Sequence, residues 1–175
     1  IFAAIILIIF LTPIGFQLKV LINRYINFTP SEIALEEQIT INSYNWQLTD
    51  DEGIKVNFNE FENRVVVINF WATWCPPCVA EMPSLQELYE SYNQEVEFLF
   101  VANDKKEKVT SFMKNNNYTF TNYYESSSIP PELVSSNIPT TFIINKKGKI
   151  VMNKAGAADW NSDKVRTILD KLIKE

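Results

Sequence analysis

Cys75 and Cys78, in the run Cys75-Pro76-Pro77-Cys78, are the two cysteines of a 175-residue chain that contains no histidine. A dithiol at this spacing can perform two-step exchange. One thiolate attacks a disulfide in another molecule, and the other thiol then resolves the mixed disulfide. Cys75 is the expected attacker, because it comes first, at the exposed end of a helix, and Cys78, one turn further in, is the expected resolver. Composition removes the other uses of such a pair. Zinc requires about four Cys, His or carboxylate ligands, and a third Cys is lacking as well as any His, so no metal is expected. Covalent haem attachment needs a His after the second cysteine, where Val79 stands. A purely structural disulfide closing so short a loop would contribute roughly 2 kcal/mol, a small return for a domain of this size.

The segments around the pair explain how it would be held. Val65-Val66-Val67-Ile68 is an apolar, β-branched run of the kind buried on both faces of a sheet, and residues 79–92 read as a helix. The cysteines therefore fall on a strand-to-helix turn, where the partial positive charge of the helix N-terminus lowers the pKa of a Cys75 thiolate. Pro76 and Pro77 work against this, since neither has a backbone N–H to offer the sulfur. A less stabilised thiolate favours a reductant, although about 30 mV of potential corresponds to only about 1.4 kcal/mol.

The set Trp71-Ala72-Thr73-Trp74-Cys75-Pro76-Pro77-Cys78, Glu81-Met82-Pro83 and Ile138-Pro139-Thr140-Thr141-Phe142 resembles the thioredoxin-like, membrane-anchored thiol-disulfide oxidoreductases of the TlpA/ResA type, over roughly residues 44–175. The resemblance implies an α/β thioredoxin-like fold with a mixed central sheet flanked by helices and a β-hairpin ahead of the core. It implies a cis-proline at Pro139 that shapes a substrate groove, with the Ile138 backbone, Thr140, Trp74, Pro76 and Pro77 beside it. Trp71 is expected in the core. Asn69 stands where thioredoxins carry a buried, titratable Asp, and Glu81 is the residue implied to take over proton exchange for Cys78. The implied partners are protein disulfides, including the haem-binding cysteines of apocytochromes c, and a membrane thiol carrier that supplies electrons. No cofactor beyond the Cys75-Cys78 pair is implied, and the domain is placed on the outer, periplasmic side of a membrane.

The remaining sequence sets the context. The net charge is -5, and no basic cluster exceeds a pair such as Lys105-Lys106, so a nucleic-acid partner is not expected. With 46% hydrophobic residues the chain can bury one sizeable core. Residues 1–18 are uncharged and strongly apolar; they read as a transmembrane anchor that continues upstream, since a span needs about 20 such residues. Residues 19–40 form a connector, in which 21–26 follow the membrane interface and Thr29-Pro30-Ser31-Glu32 starts a helix. Residues 41–175 form the domain.

Within that domain, Tyr44 to Leu48 and Ile54 to Phe58 alternate around Asp50-Asp51-Glu52-Gly53, a hairpin. Strands are expected at 96–102, 120–124, 141–144 and 149–152, helices at 105–115 and 163–173, and a helical turn within 130–137. Two other functions share this scaffold: a thiol peroxidase of the peroxiredoxin type and a redox-inert binding module. The Pro-x-x-x-Thr-x-x-Cys pattern of the former is not met, because Thr73 lies two residues before Cys75.

Overall fold

The computed structural model describes residues 12–26 and 29–175. Helix α1 (Pro13–Ile26) comes first, then strands β1 (Gln47–Asp50) and β2 (Lys55–Asn57) and a 3-10 turn (Phe58–Phe61). The core follows as β3 (Val65–Trp71), α2 (Pro76–Tyr92), β4 (Val96–Ala102), α3 (Lys106–Asn116), β5 (Asn122–Glu125), a 3-10 turn (Pro131–Leu133), β6 (Thr140–Ile144), β7 (Ile150–Ala155) and α4 (Asp163–Lys174). Most of the anchor expected over residues 1–18 lies outside the described residues. Among the described residues no helix is long and apolar enough to cross a membrane.

Seven strands make one mixed sheet in the order β2-β1-β5-β4-β3-β6-β7. β3 runs parallel to β4, and β4 to β5, each pair joined by a helix; every other neighbouring pair is antiparallel. β3 is central, and all seven of its residues are buried. Because side chains alternate along a strand, it feeds two cores. Val65, Val67 and Trp71 join Met82, Leu85 and Leu88 of α2, Val109 of α3 and Leu169 of α4. Val66, Ile68 and Phe70 join Trp46, Leu48, Phe58, Leu99 and Phe142 on the other face.

The first hairpin is shorter than its alternation suggests. Phe58, expected at the end of its second strand, instead opens a 3-10 turn capped by Asn57 and Glu60. β5 begins at Asn122, where pairing with Phe100 of β4 starts; ahead of it Phe120 stacks on Phe100, with ring centroids 3.8 Å apart, and on Tyr118. No helix starts at Thr29. The Ile33 and Ile41 amides donate to the carbonyls of Val151 and Gly148, and Thr40 bridges Lys149, so this connector lies along the β6-β7 hairpin. Gly148, at φ +73, closes that hairpin, and a Cβ there would collide with the Tyr44 hydroxyl. α1 begins inside the stretch read as anchor: Thr12 Oγ1 accepts from Gly15 N–H at 3.2 Å, and Pro13 takes the first helical position, where a missing N–H costs nothing.

Candidate active site

The site forms where β3 ends and α2 begins. Cys75 is the N-cap of α2, with extended backbone, and Pro76 and Pro77 fill the first two helical positions. The first amide free to turn back is that of Cys78, and it donates to Cys75 Sγ at 3.2 Å. Cys75 and Cys78 are joined as a disulfide, with Cα atoms 5.2 Å apart. Both cysteines are buried in this disulfide state. Cys75, expected at an exposed helix end, is only 3% exposed, and Cys78 is fully buried. Trp74 beside it is 56% exposed, whereas Pro76, Pro77 and Ile138 are half-buried.

The other wall comes from the chain entering β6. The Ile138-Pro139 bond is cis, and the Ile138 carbonyl lies 3.7 Å from Cys75 Sγ. A disulfide sulfur has no proton to donate; a Cys75 thiol would have one, with this oxygen as a ready acceptor. Thr140 is buried, and its hydroxyl donates to the Asn137 carbonyl at 2.8 Å and meets Ser135 Oγ at 2.8 Å, so the side chain shapes its own loop. Trp71 is buried beside Phe112, centroids 5.4 Å apart.

Between β3 and the helix that carries Cys78 lies a polar cluster inside an apolar core. Asn69 on β3 faces α2 and donates from Nδ2 to Glu81 Oε1 at 2.8 Å and to Thr141 Oγ1 at 2.7 Å. Glu81 is 0% exposed. Its Oε2 accepts from the Ala158 amide at 3.1 Å and the Trp160 indole N–H at 3.0 Å. Burial pushes the Glu81 carboxyl up to about 8, against the opposing pull of the Trp160, Asn69 and Ala158 donors and the Lys154 charge. Asn69 Oδ1, by contrast, is buried with no partner. The i, i+3 offset places Glu81 one turn beyond Cys78 on α2.

Two supports of this site are not apparent in the sequence reading. Ala158 and Trp160, on the turn after β7, bring the donors that hold Glu81 in place. Thr73, in the turn before Cys75, donates its hydroxyl to Asp104 beyond β4. Burial raises the Asp104 carboxyl, but the Thr73 and Lys105 hydrogen bonds and the Lys108 charge outweigh it and leave the group below its usual range. A polar Thr two residues before the nucleophile and an Asp just after a strand end were the available signals. Among the described residues no group of His, Cys, Asp and Glu is arranged to hold a metal ion.

Known proteins share both the sequence pattern and this architecture. Residues 42–153 match the AhpC/TSA family. The thiol-disulfide oxidoreductase ResA of Bacillus thuringiensis is 32% identical over 161 residues, 89% of this chain and 87% of that protein. ResA of Halalkalibacterium halodurans is 35% identical over 121 residues, 64% of this chain and 65% of that protein. Among solved structures, a DsbF homologue from Corynebacterium diphtheriae superposes with a TM-score of 0.65 at 19% identity, over 82% of this chain and 93% of its own, a likeness of fold. A thiol-disulfide oxidoreductase described as putative, from Bacteroides vulgatus, gives 0.63 at 25% identity, over 77% and 96%. With a Cys-Pro-Pro-Cys disulfide capping the motif helix of a thioredoxin-like sheet, the chain belongs to the AhpC/TSA family and, within it, to the ResA-type thiol-disulfide oxidoreductases.

Proposed function

We propose that this protein is tethered to a membrane, faces the outside of the cytoplasm and reduces disulfides in protein substrates. The observation that carries the direction of transfer is the pair of prolines after Cys75. With Pro76 and Pro77 lacking N–H groups, Cys78 supplies the one first-turn amide that reaches the Cys75 sulfur, at 3.2 Å. A thiolate held by so few donors gives up electrons more readily than one held by a full helix turn.

In the proposed cycle the Cys75 thiolate attacks a substrate disulfide, one substrate sulfur leaves as thiolate, and a mixed disulfide forms. Cys78 then loses its proton and attacks Cys75 Sγ, so that the second substrate thiol leaves and Cys75-Cys78 forms. Two electrons have passed to the substrate, and a membrane dithiol carrier returns them. Glu81 is the proton acceptor and donor for Cys78, because a carboxyl titrating at about 8 exchanges protons in both directions near neutrality. Trp74, Pro76, Pro77, Pro139 and the Ile138 carbonyl border the groove, in which an extended peptide pairs by strand addition. The haem-binding cysteines of apocytochromes c are the proposed physiological targets.

The test is a trap. The Cys78→Ser protein, expressed in membranes, should accumulate mixed disulfides through Cys75 that dithiothreitol releases. Adducts on Cys75→Ser and none on Cys78→Ser would reverse the two roles. A thiol peroxidase of the peroxiredoxin type is the rival reading on this scaffold, but Ala72 and Ile68 stand where its Pro-x-x-x-Thr-x-x-Cys motif needs Thr and Pro. Peroxide consumption faster than reduction of a protein disulfide would favour that activity over reduction. A Cys75-Cys78 disulfide inert to dithiothreitol would leave only a binding module.

A further inference from the structure

Helix α1 has two different long sides. Val20 is buried on the side that packs against α2, the helix that starts at the dithiol. On the other side Ile14, Leu18, Leu21, Ile22 and Tyr25 follow the i, i+4, i+7, i+8, i+11 spacing of a single helix face. All five are exposed, from 41% at Leu18 to 84% at Tyr25, and no other helix or strand among the described residues exposes a large apolar side chain. A contiguous apolar arc of this kind marks a contact surface.

Charge and chain continuity say what covers it. The first 31 residues contain Lys19 and Arg24 and no Asp or Glu, in a protein whose net charge is -5. Exposed Gln17 and Arg24 mark the boundary between this arc and the α2 side, where Arg24 lines a cavity with Ala80, Pro83, Ser84 and Glu87 of α2. Immediately before Thr12 the sequence is apolar without interruption from Ile1 to Leu11. An acid-free helix with an apolar face, entered directly from such a run, has the chemistry of a segment lying in the headgroup region of a bilayer. A protein partner would account for the arc but not for the apolar run that leads into it.

We propose that α1 lies flat on a phospholipid surface through Ile14, Leu18, Leu21, Ile22 and Tyr25 while its opposite side holds α2, so that the helix carrying the dithiol is fixed beside the membrane. This rests on the membrane tether proposed above and adds a defined lipid-facing side and a fixed orientation. Substrates are then met close to the bilayer, at one angle.

The test reconstitutes the whole chain in vesicles of phosphatidylcholine and phosphatidylglycerol, with and without bromine on the acyl chains, and compares Leu18→Trp, Tyr25→Trp and Gln17→Trp with the parent protein. Brominated lipid should lower the added fluorescence at positions 18 and 25 by about twofold or more, as expected for an apolar face sunk to the acyl boundary, and affect position 17 far less. Equal quenching at all three positions would make α1 part of a span and overturn the proposal. Absence of quenching at 18 and 25 in vesicle-bound protein, with or without self-association of the chain, would overturn it while leaving the tether intact. A chain that does not bind vesicles would remove both. Reduction of a soluble protein disulfide should be unchanged in all three variants, so its loss would instead count against the proposed activity.

Discussion

The two faces of the sheet are built on different principles. The face under the connector and the 3-10 turns is apolar and aromatic: Trp46 packs edge-on to Phe58 at 5.6 Å and stacks on Phe70 at 5.9 Å, and Phe70 meets Phe142 edge-on at 6.2 Å. The helix-covered face is also apolar, but where α2 crosses β3 it admits an amide and a carboxyl, Asn69 and Glu81, both buried. A buried carboxyl costs stability unless it is hydrogen-bonded, neutral or both. One strand thus serves a face that is apolar throughout and a face that accommodates a buried titratable group one turn beyond Cys78 on α2.

That contrast can be broken in four places. The largest effect belongs to Cys75→Ser, which should abolish reduction of a protein disulfide while leaving the reduced-state fold intact; residual turnover would mean that Cys78 can attack alone. Phe58→Ala, on the purely structural face, should cost about 3–5 kcal/mol in urea unfolding with unchanged specific activity in the folded fraction. A loss of activity beyond the loss of folded protein would show that the two faces are not separable.

Glu81→Gln addresses the other face. The carboxyl is raised from 4.5 to about 8 on folding, so between these values the native protein binds more protons than the unfolded chain. Stability from this group is fully present below about pH 4.5 and is lost as pH rises through about 8. Unfolding measured from pH 5 to 9 should therefore show wild-type stability declining relative to the Gln variant, and parallel curves would place the Glu81 titration elsewhere. The Gln side chain fits if Asn69 turns its amide, so that Oδ1 accepts from the new N–H and the Ala158 and Trp160 donors keep an oxygen. The smallest effect is expected from Thr73→Val, which removes the hydroxyl donor to Asp104 and should cost about 1 kcal/mol, with Asp104 titrating higher by NMR. An unchanged Asp104 titration would show that Thr73 does not hold it.

Much of this was legible in the sequence, for physical reasons. β3, β4 and α4 are read correctly because apolar periodicity and burial coincide: Val96–Ala102 is a strand as its apolar run implies, and Val165, Ile168, Leu169 and Leu172 face inward. The cis Ile138-Pro139 bond was legible through family resemblance rather than local pattern. Long-range pairing is what stayed hidden. The donors of Ala158 and Trp160 lie far down the chain from Glu81, and no local periodicity announces such a meeting. The connector was misread for the same reason: Ser31 and Glu32 look like a helix start, but the Ile33 and Ile41 amides are taken by carbonyls of the distant β6-β7 hairpin. The start of α1 was written in Thr12-Pro13, a capping pair outweighed by the surrounding hydrophobicity.

The Cys-Pro-Pro-Cys cap also makes the site unusually readable by spectroscopy. Pro76 and Pro77 have no amide proton, so an amide correlation spectrum is blank at both positions, and Cys78 gives the first helical resonance. Its proton points at Cys75 Sγ. The Cys78 amide shift should therefore follow the charge and oxidation state of the neighbouring sulfur directly, giving a titration curve for a nucleophile that has no exchangeable nitrogen proton of its own side chain to observe.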